Sequence, residues 1–385
     1  MKVQILGGAT TKFGELWEIS PRTLVYEAVY DSLTQAHLKI SDIDAIYVGN
    51  MLSGILGGQE HLGAFFSTVL KTNIPSFKIE GACASGGLAV HNGVLSILSG
   101  VYKRVLVIGV EKMTDFKPEE IASALMGAGS DEERIGGATF PGLYALLARA
   151  HMSEFGTTEE EMAAVAVKNH YHASLNGKAH FTNTITIDQV MRSSKISDPL
   201  KLLDCSPVSD GAAALILTNN EHPTSNNQHP IFIEASVVAT DSLGLSGRES
   251  LTSLKAVKIA AEKAYKTANI KPIDIDIAEV HDCFTIAEII ACEDLGFFKQ
   301  GEAAKTISKG VTKLGGKGPI VNASGGLKAS GHPVGATGVK QIVEIYKQLA
   351  GKAEKKQVKD AKIGLTHNVG GSGATAVIHI LRKFT

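Results

Sequence analysis

Segments of the first half of this sequence return in the same order in the second half. Each matching segment is a short apolar strand or a glycine-containing turn that leads into an amphipathic helix. The four pairs are residues 42–50 with 274–282, 81–98 with 330–346, 104–110 with 362–368, and 209–218 with 371–380. Repeated segments that keep their order indicate a duplicated folding unit. The sequence therefore predicts two similar halves.

The first copy contains an insertion between its last two matched strands. Matched segments lie 258 residues apart in the third pair but 162 apart in the fourth, so the insertion adds about 96 residues, at about 111–205. An insertion of this length is typically a lid or a binding subdomain. Residues 221–230 hold two prolines and almost no apolar side chains, which marks the joint between the copies. We predict an N-terminal half at 1–225, including the insertion, and a C-terminal half at 226–385.

The alternation of apolar strands with helical stretches predicts an α/β fold. The segment VLVIGV at 105–110 is apolar on both faces, and helical patterns occur at 24–36 and 254–268. Strands without a polar face must be covered by helices on both sides of the sheet. We therefore expect two layered α/β halves that pack together.

Charge and composition exclude several classes of protein. The 38 basic and 39 acidic side chains nearly cancel, so no overall field attracts nucleic acid or an anionic membrane. No apolar run reaches the ~18 residues of a membrane span and the N-terminus lacks a signal-peptide pattern, which predicts a cytoplasmic protein. The four cysteines fit neither a disulfide framework nor a zinc motif. His170 and His172 have no third ligand nearby, so we assign them to a solvated helix face and predict no metal.

Cys83 lies in the segment GACASGG at 81–87, between a predicted strand and a predicted helix. A tight turn here would expose the sulfur above the sheet, in the way that a nucleophile elbow does. The free N–H groups and the positive dipole end of the helix would favour the thiolate. The same segment also suits a small buried cysteine in a glycine turn, and by itself it does not separate the two interpretations.

His281 and Cys283 lie two residues apart in EVHDCF, at the end of a predicted strand. In an extended chain both side chains face one side and Asp282 faces the other. Their ordinary pKa values of about 6.5 and 8.5 bracket neutrality, which suits a proton-transfer pair. Cys283 would equally fill the core, so the segment alone leaves both interpretations open. We assign Cys205 and Cys292 to packing.

Two further segments carry candidate groups. His332 lies in a Gly-His-Pro sequence at the start of a predicted helix, and it occupies in the second half the position that Cys83 occupies in the first. The glycines of HNVGGSGATA, from His367, can present bare N–H groups to an oxyanion. Neither glycine segment has the spacing of a P-loop or of a dinucleotide-binding motif.

Together these segments resemble the thiolase superfamily over essentially the whole chain. Cys83 in CASGG matches the acyl-accepting cysteine, His332 matches the GHP histidine, and His281 in HDCF lies where many bacterial thiolases have Asn-Glu-Ala-Phe. Residues 368–370, Asn-Val-Gly, replace the family's Cys-x-Gly motif and so remove its second reactive thiol. Archaeal acetoacetyl-CoA thiolases and the sterol-carrier-protein type share the HDCF and HNxG pattern, which implies that Cys283 substitutes for that thiol.

The resemblance implies a duplicated α-β-α-β-α layered fold with an inserted loop domain. It also implies an acetyl-CoA C-acetyltransferase that condenses two acetyl-CoA through an acetyl-Cys83 intermediate and feeds mevalonate synthesis. His332 would accept the Cys83 proton and Cys283 would remove the α-proton, with enolate charge met by His332 and His281. The N–H groups of Cys83 and Gly370 would stabilise the tetrahedral intermediate.

Coenzyme A thioesters are then the substrates, and no further cofactor is expected. Residues 111–200 carry 8 basic and 13 acidic side chains, so CoA phosphates need local contacts. The candidates are Arg192, Lys195 and Lys201, with a solvated basic face as the alternative. In the family the insertion covers the pantetheine tunnel and the chains form homodimers or homotetramers. Archaeal relatives also join a 3-hydroxy-3-methylglutaryl-CoA synthase through a small OB-fold protein with a zinc ribbon.

Three other functions remain alternatives at this point. The first is a degradative 3-ketoacyl-CoA thiolase that acts on longer acyl chains. The second is a decarboxylating ketoacyl synthase, which the second thiol of HDCF disfavours because that thiol suits unactivated acetyl-CoA. The third is a catalytically weak scaffold or acyl-CoA-binding subunit.

Overall fold

The computed structural model describes residues 2–219 and 230–384. The boundary predicted at 225/226 lies outside the described residues. The strands are β1 (Val3–Thr10), β2 (Ala45–Gly49), β3 (Ser76–Ile79), β4 (Arg104–Glu111), β5 (Lys195–Ser197), β6 (Leu200–Lys201), β7 (Gly211–Asn219), β8 (Ile231–Thr240), β9 (Ile277–Glu279), β10 (Ile320–Val321), β11 (Ile363–Gly370) and β12 (Thr375–Lys383).

Helices separate most of these strands. They are α1 (Pro21–Ala36), α2 (Leu62–Val69), α3 (Ser85–Leu98), α4 (Pro118–Leu125), α5 (Asp131–Ile135), α6 (Phe140–Phe155), α7 (Glu159–Ala173), α8 (Ile187–Arg192), α9 (Lys255–Ala268), α10 (Thr285–Asp294), α11 (Ala303–Ser308), α12 (Gly326–Ser330) and α13 (Val334–Leu349). No helix in the described ranges combines the length and the apolar composition that crossing a bilayer requires.

Ten strands form one sheet whose two halves repeat each other about its centre. Its order is β10-β9-β11-β12-β8-β1-β7-β4-β2-β3, and the central antiparallel pair β1 and β8 joins the halves. Reading outward from the centre, β1, β7, β4, β2 and β3 correspond to β8, β12, β11, β9 and β10. Strands from each pair of matched segments therefore occupy equivalent positions. The structure confirms the predicted duplicated α/β fold.

Alternating residues of the strands pack against different helix layers. In β4, Leu106, Ile108 and Val110 lie in the core formed with α1, whereas Val105 and Val107 lie in the core formed with α3 and α13. Helix α9 packs on β8 and β12 in the second half. The pair α3 and α13 is thus enclosed between the two halves of the sheet, which is the predicted α-β-α-β-α order of layers.

The two central helices approach so closely that their first turns admit only glycine. A Cβ atom on Gly86 would lie 2.8 Å from the carbonyl oxygen of Gly335 and 2.9 Å from the nitrogen of Gly338. Real Cβ atoms do not make such contacts with backbone atoms, so the helices pack backbone against backbone. This contact brings the N-terminal ends of α3 and α13 together, and with them the turns that precede each helix.

The residues between β4 and β7 contain helices α4 to α8 and the β5–β6 hairpin. The buried carboxylate of Asp210 ties the two ends of this segment together. It accepts hydrogen bonds from the N–H groups of Met113 (2.7 Å) and Thr114 (2.9 Å) and from Nζ of Lys112 (2.8 Å). Burial by itself would raise the pKa of Asp210, but the hydrogen bonds from Lys112 and Thr114 outweigh burial and lower it.

Replacing Gly86 with alanine should destabilise the protein, because the new methyl group meets backbone atoms that cannot rotate away. Overpacking of this kind costs about 1–3 kcal/mol of unfolding free energy. Gly177→Ala is the matched control, since no atom lies within 4 Å of its added Cβ. Urea unfolding of both variants measures the difference. Equal midpoints for the two variants would contradict the packing described here.

Candidate active site

The turns before α3 and α13 meet the ends of β9 and β11 at a cavity of about 230 Å³. Its polar wall holds the two cysteines and the two histidines that the sequence proposed for the site, together with a third cysteine and one tyrosine. These residues are Cys83, Cys205, Cys283, His281, His332 and Tyr144. The opposite wall is apolar and comes mainly from α4 and from the start of α6, with Ile121, Ala122, Leu125, Phe140 and Pro141.

Cys83 lies on a short 3-10 turn at Ala82–Ala84, between β3 and α3. Ala82, immediately before it, has a φ of 54°, a conformation that a residue with a side chain adopts only under strain. The sharp turn directs the side chain of Cys83 into the cavity, where 8% of its surface remains exposed. The predicted elbow is therefore present, with the strained residue one position before the nucleophile.

His332 lies between α12 and α13, on the turn that Gly331 and Pro333 flank. Gly331 has a φ of 103°, which only glycine adopts readily, and this conformation turns the chain toward the cavity. The Nδ1 atom of His332 lies 2.7 Å from the hydroxyl oxygen of Thr337, one turn into α13. The imidazole is therefore held by the helix that it precedes.

His281 and Cys283 follow β9, and both are buried at the cavity wall. The rings of His281 and His332 lie 5.0 Å apart at an angle of 86°. The sulfur of Cys83 and a ring nitrogen from each histidine all lie within 4.8 Å of one another. Asp282 faces away, as the alternation predicted, and accepts hydrogen bonds from the first N–H groups of α12 at Leu327 (2.6 Å). These groups form a compact constellation around one sulfur atom.

The loop between β11 and β12 supplies a backbone donor. The N–H group of Gly371 is directed at the Cys83 sulfur, and Gly371 lines the cavity. This contact with the sulfur is separate from the oxyanion-donor role predicted for Gly370, which stays a prediction. Gly371 has a φ of 61°, which lets the chain reverse while its N–H group points into the cavity. Arg248 donates to the carbonyl oxygen of Ser372 and so fixes the loop from behind.

Two residues near the site carried no signal in the sequence. Tyr144 comes from α6, stacks on Phe284 at 4.7 Å, donates its hydroxyl hydrogen to the carbonyl oxygen of Gly371 (3.3 Å) and lines the cavity together with Cys283. Glu111, at the end of β4, accepts hydrogen bonds from the N–H of Gly335 (3.1 Å) and from the side chain of Asn50 (2.7 Å). Glu111 thereby holds the first turn of α13 against the sheet. Neither residue lies in a recognisable motif, because each reaches the site only through tertiary packing.

Burial controls the protonation of the site. It raises the pKa of Cys83 to about 12, although the Gly371 N–H group opposes this shift. Burial also lowers the pKa of His332 to about 3, and burial together with the neighbouring His332 holds the pKa of His281 well below its usual value. The resting site therefore contains a neutral thiol and two neutral imidazoles. The sequence predicted that the helix N-terminus would favour a thiolate, but desolvation outweighs that effect here.

The three basic residues predicted to contact CoA phosphates differ in their surroundings. Arg192 and Lys195 are exposed, and each forms an ion pair with a neighbouring aspartate. Lys201 is 6% exposed and its ammonium group pairs with Glu159, so it presents no free charge at the surface. A phosphate contact for Arg192 and Lys195 stays a prediction.

The structure also corrects the assignment of two histidines. His170 and His172 were assigned to a solvated helix face, but both are buried where α7 packs against the C-terminal half. The Nδ1 atom of His172 lies 2.9 Å from the carbonyl oxygen of Asn322, and its Nε2 accepts from the N–H of Leu314. Their role is therefore to satisfy buried backbone groups.

Of the two cysteines assigned to packing, Cys292 is fully buried, as predicted, whereas Cys205 lies at the cavity wall.

Comparison with known proteins places this geometry in a family. Residues 3–221 match the model "Thiolase, N-terminal domain", and residues 238–383 match "Thiolase C-terminal domain-like". The acetyl-CoA acetyltransferase of Methanothermobacter thermautotrophicus is 46% identical over 382 residues, covering 99% of each chain. That of Methanocaldococcus jannaschii is 49% identical over 390 residues, covering 98% of each chain. Human sterol carrier protein 2 is 32% identical over 396 residues, covering 98% of this chain and 71% of the relative.

Solved structures share the fold at lower sequence identity. The Ltp2-ChsH2(DUF35) aldolase superposes with a TM-score of 0.84 at 23% identity and covers 99% of this chain and 97% of its own. The acetyl-CoA acetyltransferase from Syntrophomonas wolfei gives a TM-score of 0.75 at 18% identity and covers 99% of both chains. These two likenesses show that the layered fold extends over the whole chain.

The neutral state of the site predicts how Cys83 reacts with iodoacetamide. A thiol with a pKa of about 12 has a thiolate fraction that rises about tenfold per pH unit below that value. We expect the alkylation rate of Cys83, followed by mass spectrometry of its peptide, to rise about tenfold per pH unit between about pH 7 and pH 9. Cys83→Ser removes the signal. A rate that is already constant near pH 7 would instead indicate a thiolate–imidazolium pair.

Proposed function

The chain belongs to the thiolase family, and from that membership we propose that it is an acetyl-CoA C-acetyltransferase, which joins two acetyl-CoA molecules into acetoacetyl-CoA and releases CoA. The observation that carries the proposal is the contact set around Cys83, whose sulfur lies within 4.8 Å of ring nitrogens of His281 and His332. Cys283 faces the same cavity. Relatives with the name acetyl-CoA acetyltransferase are 46% and 49% identical over nearly the whole chain.

In the first half-reaction Cys83 becomes acetylated. His332 accepts the thiol proton as the sulfur attacks the carbonyl carbon of acetyl-CoA, and a new carbon–sulfur bond forms. The N–H groups of Cys83 and Gly370 are the proposed donors to the oxyanion of the tetrahedral intermediate, and the backbone of Gly371 faces the sulfur beside them. The bond to CoA then breaks, and CoA leaves as a thiol with the proton of Cys283, so that Cys283 becomes a thiolate while His332 keeps the proton from Cys83. Since the resting pair is neutral, charge appears only as the reaction proceeds.

In the second half-reaction a base removes a proton from the methyl group of the second acetyl-CoA. Cys283 is the candidate, because it lines the cavity together with Cys83 and the two histidines. Burial raises the pKa of Cys283 above its usual value. The enolate attacks the acetyl group on Cys83, a carbon–carbon bond forms, and the Cys83 sulfur leaves and takes the proton that His332 holds, while the α-proton stays on Cys283. In reverse, the same steps cleave a 3-ketoacyl-CoA.

A second candidate function is the thiolysis of longer 3-ketoacyl-CoA chains. The apolar wall formed by Ile121, Leu125 and Phe140 favours it, since such a surface accepts methylene groups. The cavity volume of about 230 Å³ favours the acetyl substrate, because pockets for larger ligands span about 300–1,000 Å³. Comparing kcat/KM for 3-ketoacyl-CoA substrates of four to ten carbons separates the two functions.

The sheet edge supports the further proposal that the protein is a homodimer. Strand β3 ends the sheet, and one side of it has no partner among the described residues. Apolar side chains remain exposed on β3 and on the neighbouring helix α3, including Phe77 (43%) and Leu95 (50%). An unprotected edge beside an apolar surface is suited to pairing with a second copy.

Delivery to mevalonate synthesis, a cytoplasmic location and a complex with 3-hydroxy-3-methylglutaryl-CoA synthase remain predictions.

The dimer proposal predicts that charge on this surface separates the subunits. Sedimentation velocity should give a mass of two chains for the wild type and of one chain for Phe77→Glu combined with Leu95→Glu. Ile273→Glu is the control, because Ile273 is 86% exposed and lies far from β3, on the turn before β9. A monomeric wild type, or a variant that stays dimeric, would contradict this interface.

Intact-mass spectrometry after exposure to acetyl-CoA tests the catalytic proposal. The wild type should gain one acetyl group, and Cys83→Ala should gain none. Cys283→Ala should still be acetylated but should condense about 10²–10⁴-fold more slowly, since it lacks the general base. Cys292→Ala is the matched control, because Cys292 is fully buried away from the cavity. An adduct that survives Cys83→Ala would contradict the intermediate, and unchanged condensation by Cys283→Ala would assign the base to another group.

A further inference from the structure

The side chain of Asn368 has an orientation that its neighbours determine. Its Oδ1 lies 3.1 Å from the backbone nitrogen of Gly87, and this N–H group can only donate. Its Nδ2 lies 3.0 Å from the carbonyl oxygen of Cys83, which can only accept. These two contacts exclude the flipped amide, since flipping would place donor against donor and acceptor against acceptor.

The same amide decides where His281 carries its hydrogen. The Nδ2 atom of Asn368 also lies 3.2 Å from Nδ1 of His281. An amide nitrogen only donates, so Nδ1 of His281 must accept through its lone pair. Burial holds the pKa of His281 well below its usual value, so the ring is neutral. A neutral imidazole whose Nδ1 accepts carries its hydrogen on Nε2, and His281 therefore presents an N–H donor.

His332 shows the opposite arrangement. Its Nδ1 lies 2.7 Å from the hydroxyl oxygen of Thr337, and that hydroxyl lies 3.0 Å from the carbonyl oxygen of Pro333. The hydroxyl has one hydrogen, and the carbonyl oxygen can only accept it. Both contacts are hydrogen bonds at the same time only when Nδ1 of His332 donates to the hydroxyl and the hydroxyl donates to Pro333. This ring carries its hydrogen on Nδ1 and has a free lone pair on Nε2.

We propose that Asn368 and Thr337 are positioning residues that hold the two histidines of the site in opposite tautomers. His332 then offers Nε2 as the acceptor for the Cys83 proton, and His281 offers Nε2–H as a permanent donor to the substrate's thioester oxygen. The proposal rests on the proposed function, since it assigns separate tasks within that reaction. It also makes the cluster a poor metal site, because His281 has no free lone pair to offer.

A purely structural role for Asn368 would need only two of its three contacts. The bonds to Gly87 and Cys83 already join β11 to the start of α3. The third contact, to His281, adds nothing to that joint but determines the ring's chemistry. In the buried, neutral site no charge distinguishes the two histidines, so the hydrogen-bond partners of their Nδ1 atoms are what separate their roles.

The tautomers can be observed directly by nitrogen-15 NMR of protein labelled at its 13 histidines. Long-range correlation spectra distinguish the two ring nitrogens, and the spectra of His281→Gln and His332→Gln assign the signals by subtraction. We expect an Nε2–H ring for His281 and an Nδ1–H ring for His332. The same tautomer in both rings, or rapid averaging in either, would overturn the proposal. This measurement does not depend on turnover.

Kinetics of acetoacetyl-CoA thiolysis test whether the two tautomers affect catalysis. Thr337→Val keeps the shape but removes the acceptor, and we expect kcat to fall by tenfold or more, since a misplaced tautomer costs up to about 10⁴-fold in a hydrolytic triad. Thr337→Ser restores the hydroxyl and should restore kcat. Asn368→Ala should lower kcat toward the about 10²–10³-fold loss of an oxyanion donor, with KM within about threefold of the wild type.

The outcomes separate this proposal from the function on which it rests. A wild type that turns over no acyl-CoA would overturn the proposed function. The NMR spectra would still test the tautomers of His281 and His332, because they do not depend on turnover. An active wild type with normal kcat in both Thr337→Val and Asn368→Ala would overturn the positioning roles. A loss of kcat in Thr337→Val that Thr337→Ser does not rescue would also overturn the role of Thr337, since packing alone would then explain it. Thr337→Val keeps the test valid if Asn368→Ala does not fold.

Discussion

The contact between the first turns of α3 and α13 is the constraint on which the rest of the structure depends. Gly86 and Gly338 let two helix backbones touch where any side chain would separate them. Because each helix follows the turn that carries a reactive residue, this one contact joins Cys83 from the first half to His332 from the second. Glu111 strengthens the junction by accepting the N–H group of Gly335 from the end of β4. Neither half of the duplicated chain would form the site alone.

The site that results is buried, and burial determines its chemistry. Desolvation disfavours a thiolate and an imidazolium in the same small cavity, so the resting groups are neutral. In a neutral site, charge does not give His281 and His332 different roles. Their roles depend on hydrogen bonds instead, because the partner of each Nδ1 atom determines the tautomer of the ring. These hydrogen bonds are stronger in a buried site than they would be at an exposed one. The thioester substrate then generates charge only where backbone N–H groups and the imidazoles can meet it.

The local sequence predicted a structural feature correctly wherever a single segment contained all the residues that determine that feature. The duplication, the turn that presents Cys83 and the Gly-His-Pro turn of His332 could be predicted because glycine and proline restrict the backbone at those residues. Contacts between distant segments could not be predicted. Lys201 pairs with Glu159, 42 residues away, and His172 reaches Asn322, 150 residues away, so both are buried although their local patterns suggested exposure. Tyr144 reaches Cys283 from a helix with no motif at all.

The order of residues along the chain determined the fold class, the two-fold repeat and the identity of the reactive side chains. These follow from apolar periodicity and from backbone conformations that only certain residues adopt. The protonation state of those side chains, the contact of the Gly371 backbone with the Cys83 sulfur, and the tautomers of His281 and His332 were decided only by tertiary structure. The reason is that desolvation and hydrogen-bond direction depend on atoms brought together from distant segments of the chain, such as Cys83 and Asn368, which lie 285 residues apart.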